Sequence, residues 1–203
     1  MASPSFGLAA LVACLAAFGG AAEIENHLLP RVQVEGRAPV TYKVEDRMKH
    51  YRVPAVSIAV IRAGKLESAQ AWGVVEAGGR KVDADTVFQA ASISKPVAAL
   101  AAMHMSQYGN FGLDDDVNDK LKSWKVPSSD FAGKVTLRRL LSHSAGLTVH
   151  GFPGYAVTAD MPAVPQILDG AKPANTQAVR VNVEPGSTWR YSGGGYTVMQ
   201  LLL

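Results

Sequence analysis

Cysteine is almost absent from this chain: Cys14 is the only one in 203 residues, which excludes an internal disulfide. Charge is sparse as well. Charged residues make up 18% of the chain and the formal net charge is +3. The Lys and Arg residues are scattered, so a pI near 9.0 marks a solvated surface and gives no nucleic-acid footprint. No internal repeat and no low-complexity block interrupts the sequence. With 48% apolar residues the composition is globular, and the length suffices for one full domain or two small ones with a sizeable core.

Missing partners remove several chemistries. His143 and His150 have no third ligand at a useful spacing for zinc, so both read as structural histidines. Asp114, Asp115 and Asp116 lack the EF-hand glycine and closing glutamate, and fit acidic residues heading a helix. Ser144 in "SHSAG" has Ser142 where a nucleophile elbow requires glycine. The glycines at 193 to 195 do not follow a strand in the dinucleotide-binding pattern. No metal and no organic cofactor is expected. The expected partner is a small-molecule or peptide substrate.

One run carries no charge at all, "FGLAALVACLAAFGGAA", residues 6–22. It is short for a membrane span. Small residues at Gly20 and Ala22, followed by Glu23, read as a secretory signal over 1–22 with cleavage near Ala22. In the alternative, "LVAC" places Cys14 at a lipid-accepting position, which would anchor the protein to a membrane. Both readings predict export, to the periplasm or beyond, and the 1–22 signal leaves 23–40 as a linker.

Hydrophobic spacing then predicts the elements. "TYKVEDRMKHYR", residues 41–52, fits an amphipathic helix with Val44, Met48 and Tyr51 on one face, stopped by Pro54. "PAVSIAVIRAGKLESAQAWGVV" reads as two strands around a turn at Arg62 to Lys65, the first apolar on both faces and expected inside a covered sheet. "GNFGLDDDVNDKLKSW" is a turn and a short acidic-headed helix. "VTLRRLLSHSAGL" gives a helix with Leu137, Leu140 and Leu141 inward, stopped at Gly146. A short helix is expected around 163–169, and "VRVNV", residues 179–183, alternates like a strand. "GGGYTVMQLLL" starts a helix that reaches Leu203 without a cap, and with one convincing hairpin the chain reads as a fragment lacking further sheet strands.

The stretch "FQAASISKPVAALAAMHMSQYG", residues 88–109, raises the functional question. Pro96 is tolerated only in a first helical turn, so a helix starts near 92–95 with Ser92 at its mouth. From Val97 to Tyr108 the helix is apolar nearly all round and is expected to be deeply buried. Lys95 lies one turn along from Ser92 on the same side. A serine hydroxyl needs a base to become a nucleophile, and a lysine held neutral can act as one. The helix start also aims backbone amides at an oxyanion. Spacing alone is weak, since this composition gives roughly 0.7 chance S-x-x-K matches. On spacing, a capping serine with a solvated lysine stands beside the reactive pair.

Serine–lysine chemistry recruits a third polar group to relay the proton. Tyr108 lies 16 residues down the same helix, about 24 Å away, and is excluded. Tyr191 in "WRYSGGGY" precedes a triple glycine that permits close backbone approach. Either it is the relay or it packs in a loop. Trp189 beside it is open between site lining and core packing.

"ASISKP", "LLSHSAGL" and "PGSTWRYSGGGY", in this order and spacing, resemble the class C beta-lactamase-related serine hydrolases, a group with DD-peptidases, D-aminopeptidases and esterases. The resemblance runs from about residue 41 to the end. It implies a beta-lactamase/transpeptidase-like α/β sheet sandwiched by helices beside an all-helical subdomain, truncated here before the C-terminal sheet strands. Residues 41–203 would form the incomplete hydrolase domain, with 41–90 in the α/β portion and 91–203 mainly helical. It implies Ser92 as acyl-forming nucleophile, Lys95 as its activating partner and Tyr191 as relay acid/base, acting on ester or amide carbonyls, including D-amino-acid peptides or beta-lactams. Two departures bear on substrate. The family's Y-x-N is here Tyr191-Ser192-Gly193, which favours an esterase or peptidase-like hydrolase over a dedicated beta-lactamase. The family's Lys/His-x-Gly strand would lie beyond Leu203, so this fragment alone is expected to be inactive. The alternative function is a non-catalytic descendant that binds cell-wall peptides or assembles with partners.

Overall fold

A computed structural model of the chain describes residues 24–203; the expected signal segment and Cys14 lie outside the described residues. The chain divides into two compact units, one ending at Gln89 and the other spanning Ala90–Leu203. Among the described residues no helix is long and apolar enough to cross a membrane.

In the first unit, helix α1 (Val44–Tyr51) carries Glu45 and Asp46 in its first turn and Lys49 and His50 in its last, the distribution that complements the helix dipole. Val44 is buried and Met48 half-buried. Tyr51, expected on the same face, is instead 63% exposed, stacked on the Arg47 guanidinium 4.5 Å from its ring centre. The helix ends at Arg52, in the left-handed region at φ 55°, two residues ahead of the expected stop at Pro54.

Strands β1 (Ala55–Arg62) and β2 (Lys65–Gly73) pair antiparallel, with an irregularity between Val60 and Ile61. Ala63 and Gly64 both take positive φ, the tight-turn geometry that matches strand twist. The expectation of a covered first strand is not met. No residue of β1 is fully buried, because the sheet has two strands and a lone ribbon offers too little surface to bury a face.

The second unit begins with a 3₁₀ turn, Ala91–Ile93, leading into α2 (Ser94–Gln107). Then follow α3 (Val117–Lys120), α4 (Leu137–Leu141), α5 (Val164–Asp169) and α6 (Gly193–Leu202). Asp116 caps α3 by accepting from the Asn118 amide, and Thr136 caps α4 by accepting from that of Arg139. The core gathers Leu137, Leu140, Leu147, Leu168, Val179, Val198 and Met199. Each such side chain contributes about 1.5–3 kcal/mol by leaving water.

Helix α2 departs from the expected deep burial. Ala102 is its one buried residue, with Ala98 and Met105 packed on the core. Val97 and Leu100 are about 70% exposed, as is Tyr108 at the helix end. A helix apolar all round needs cover on two sides, and its own unit supplies one. Helix α4 also stops earlier than expected. Ser142 Oγ donates to the Arg138 carbonyl, and His143 turns left-handed at φ 56°. Gly146 serves a close backbone approach instead, since a Cβ there would lie 2.0 Å from the Val183 carbonyl oxygen.

That contact belongs to the feature that positions the site. Residues 143–150 run beside 180–194, joined by bonds from the Asn182 amide to the Gly146 carbonyl, Thr148 to Arg180, and Gly194 to Val149. The strand expected at 179–183 is reduced here to one bridge, Leu147 with Val181. Gly146, at φ 69°, breaks the extended run of its neighbour and with it the ladder.

Candidate active site

Ala91 lies at φ 45°, a left-handed conformation uncommon for alanine and typical of strained functional turns. It turns the chain so that Ser92 sits in the 3₁₀ turn directly ahead of α2, exposed to solvent. Lys95, one turn on, brings its Nζ to 3.0 Å from Ser92 Oγ. From the other end of the unit, Tyr191 places its hydroxyl 2.7 Å from the same Oγ. Both are hydroxyls, so either can carry the proton in that contact. The three residues singled out in the sequence thus meet at one atom.

Tyr191 is brought there by the start of α6. Ser192 is the N-cap: its buried Oγ accepts from the Gly195 amide at 2.9 Å and donates to the Thr148 carbonyl at 2.8 Å. The triple glycine provides the close approach expected of it. A Cβ at Gly194 would fall 2.7 Å from the Thr148 oxygen and 2.8 Å from a Val179 methyl. At Gly193 it would meet the His150 oxygen at 3.0 Å and the Phe152 ring at 3.3 Å. The local packing therefore favours glycine where the family has asparagine.

Without that amide, Lys95 Nζ lies beside Ser92 Oγ, the Tyr191 phenol and two tyrosine rings, Tyr191 at 4.9 Å and Tyr196 at 5.5 Å, within the range at which a ring face attracts a cation. Hydrogen bonding to Lys95, then to Ser92, holds the Tyr191 phenol below its ordinary 10.0. Burial, then the neighbouring Tyr191, pushes Tyr196 above it. Burial is also the main reason His143 lies below its ordinary 6.5, with Lys95 and His150 adding to the effect.

Among the described residues no group of three or more His, Cys, Asp and Glu is arranged to hold a metal ion. His143 and His150 flank Tyr191, the first at 4.4 Å and the second at 4.8 Å between ring centres. Trp189 is not a core residue. It is 67% exposed and meets His143 edge-on at 6.1 Å. Lys95 lines a cavity of about 380 Å3 together with Ala98, Phe152 and Tyr196. Tyr191 lines another of about 270 Å3 with Thr148 and His150. Tyr196 was given no role by sequence reasoning, although its place five residues after Tyr191, across the glycines, puts it on the next turn of α6.

The fold is of the beta-lactamase/transpeptidase-like type. The beta-lactamase family profile matches residues 40–203, and the chain belongs to that family. It is 37% identical over 102 residues to penicillin-binding protein 4 of Amycolatopsis lactamdurans, covering 50% of this chain and 26% of that one. To esterase EstB of Burkholderia gladioli it is 29% identical over 156 residues, 73% of this chain and 40% of the esterase. Among solved structures it resembles the D-amino acid amidase of Ochrobactrum anthropi, with a TM-score of 0.60 at 22% identity over 77% of this chain and 43% of the amidase. The chain therefore spans between a quarter and two fifths of the length of these curated relatives.

Proposed function

We propose that the protein is an exported serine hydrolase working through an acyl-enzyme, with Ser92 as nucleophile. The observation that carries this reading is the convergence of Lys95 Nζ at 3.0 Å and the Tyr191 hydroxyl at 2.7 Å on Ser92 Oγ. Ser92 Oγ bonds to the carbonyl carbon of an ester or amide while its proton passes to the Tyr191–Lys95 pair. The Ile93 and Ser94 amides are bonded to the Ala90 and Ala91 carbonyls, which leaves the Ser92 amide to face the oxyanion. The tetrahedral species collapses, the bond to the leaving group breaks, and the departing alcohol or amine takes the proton back. Water then repeats the sequence and frees the acid and the serine hydroxyl.

Relatives named as an esterase and a penicillin-binding protein support a carbonyl substrate of ester or peptide type. Gly193 in place of asparagine favours these over a dedicated beta-lactamase, because no side-chain amide is present there to grip a substrate amide. No chemistry in this scheme requires a metal or organic cofactor. The test is to treat the full-length protein and its Ser92→Ala variant with fluorophosphonate and penicillin probes. Labelling of the wild type alone is expected. Wild-type protein that takes up neither probe and cleaves no activated ester would refute the proposal.

A further inference from the structure

His143 makes three separate attachments around Tyr191. Its carbonyl accepts from the Arg190 amide at 2.7 Å, and its Nδ1 accepts from the Ser192 amide at 3.2 Å. Its ring lies against the Tyr191 ring at 4.4 Å, tilted by 33°, and against Tyr196 at 5.1 Å. The amides of the residues on either side of Tyr191 are thus both held by one residue. That residue is itself fixed, because the Ser144 amide donates to the Arg139 carbonyl at 2.8 Å and the Ser142 amide to Arg138 at 3.0 Å. Its backbone is in the left-handed region at φ 56°, where histidine and asparagine are among the few side chains tolerated.

Tyr191 needs such a hold. It follows a run, 186–189, that is exposed and precedes three glycines. Its hydroxyl must nevertheless stay within hydrogen-bond reach of an exposed serine. From these contacts we infer that His143 is a positioning residue for the reaction, its Nδ1 acceptor fixing the Tyr191 phenol at Ser92 while the ring packs beside it. The role requires Nδ1 to be a bare acceptor, hence a neutral imidazole with its proton on Nε2. Lys95 and His150 are the cationic or titratable groups facing that ring besides the two tyrosines, and burial together with Lys95 disfavours a charge on it.

The inference rests on the serine-hydrolase reading and is tested with it, on the full-length protein, by activated-ester hydrolysis beside fluorophosphonate labelling. Three variants are compared. His143→Ala removes both the acceptor and the ring. His143→Asn places an amide oxygen where Nδ1 stood and accepts the left-handed backbone. His143→Gln carries its oxygen one carbon further, near the Nε2 position. The alanine and glutamine variants should lose roughly 10- to 100-fold in kcat, the cost of a reacting group misplaced by about an ångström, with KM within about twofold. The asparagine variant should keep kcat within a few-fold of wild type. A shared rise in KM with loss of folded signal in all three, or asparagine as damaged as alanine, overturns the positioning role while the hydrolase reading stands. Wild-type kcat in the alanine variant overturns it too. Unlabelled, inactive wild type overturns both.

Discussion

Replacing Tyr191 by phenylalanine isolates one oxygen atom. The ring contacts to His143, His150 and Lys95, at 4.4, 4.8 and 4.9 Å, are kept, and the 2.7 Å contact to Ser92 Oγ is lost. A positioned acid/base supplies about 10²–10⁴ in rate. Lys95 Nζ remains 3.0 Å from Oγ and can still take the proton, so the lower part of that range applies. We expect kcat to fall about 10²–10³-fold, or about 2.7–4 kcal/mol in the barrier. Stability should hardly move, within about 0.5 kcal/mol, since the hydroxyl sits at a half-open surface and no core contact is removed. The assay is p-nitrophenyl ester hydrolysis by the full-length protein, with thermal unfolding alongside. A Tyr191→Phe variant that keeps more than a third of wild-type kcat would refute the relay assignment. A variant that loses activity and several degrees of Tm together would refute the claim that only an oxygen was removed.

Other outcomes follow from the same geometry. Because Lys95 is the main cause of the lowered Tyr191 phenol, one tyrosinate should appear at lower pH than an ordinary phenol in an ultraviolet titration, vanish in Tyr191→Phe, and move up towards 10.0 in Lys95→Met. Restoring asparagine at Gly193 puts a Cβ 3.0 Å from the His150 oxygen. It should cost about 1–3 kcal/mol by denaturant unfolding without raising ester hydrolysis. Ser192→Ala removes a buried cap that also bonds Thr148, and should cost about 1–2 kcal/mol; an unchanged unfolding midpoint would contradict the capping role.

Much of the candidate site's geometry is legible in the chain because its parts are local. Proline at 96 sets the helix start, three-residue spacing puts Lys95 over Ser92, and the glycines after Tyr191 announce close approach. The hairpin and the small helices at 117–120 and 164–169 are visible for the same reason: caps, turn residues and periodicity lie within a few positions of one another. What the sequence hides is long-range. Nothing near Tyr191 in the chain reveals that residue 143 holds the amides beside it, or that Tyr196 stands over Lys95. Helix α2 misled because an apolar surface states that cover is wanted and not where it comes from. The strand at 179–183 shrank to a bridge because alternation predicts pairing only where the partner is also extended, and Gly146 is not.

The proposed chemistry requires that the Ser92 oxygen become covalently acylated with the help of Lys95. Peptide mass mapping after brief exposure of the full-length protein to a fluorophosphonate, run in parallel on Lys95→Met, reads both halves of that requirement. A single adduct is expected on the peptide carrying Ser92 in the wild type, with labelling slowed by at least a hundredfold in Lys95→Met. An adduct on another residue, or equal labelling rates in the two proteins, would contradict it.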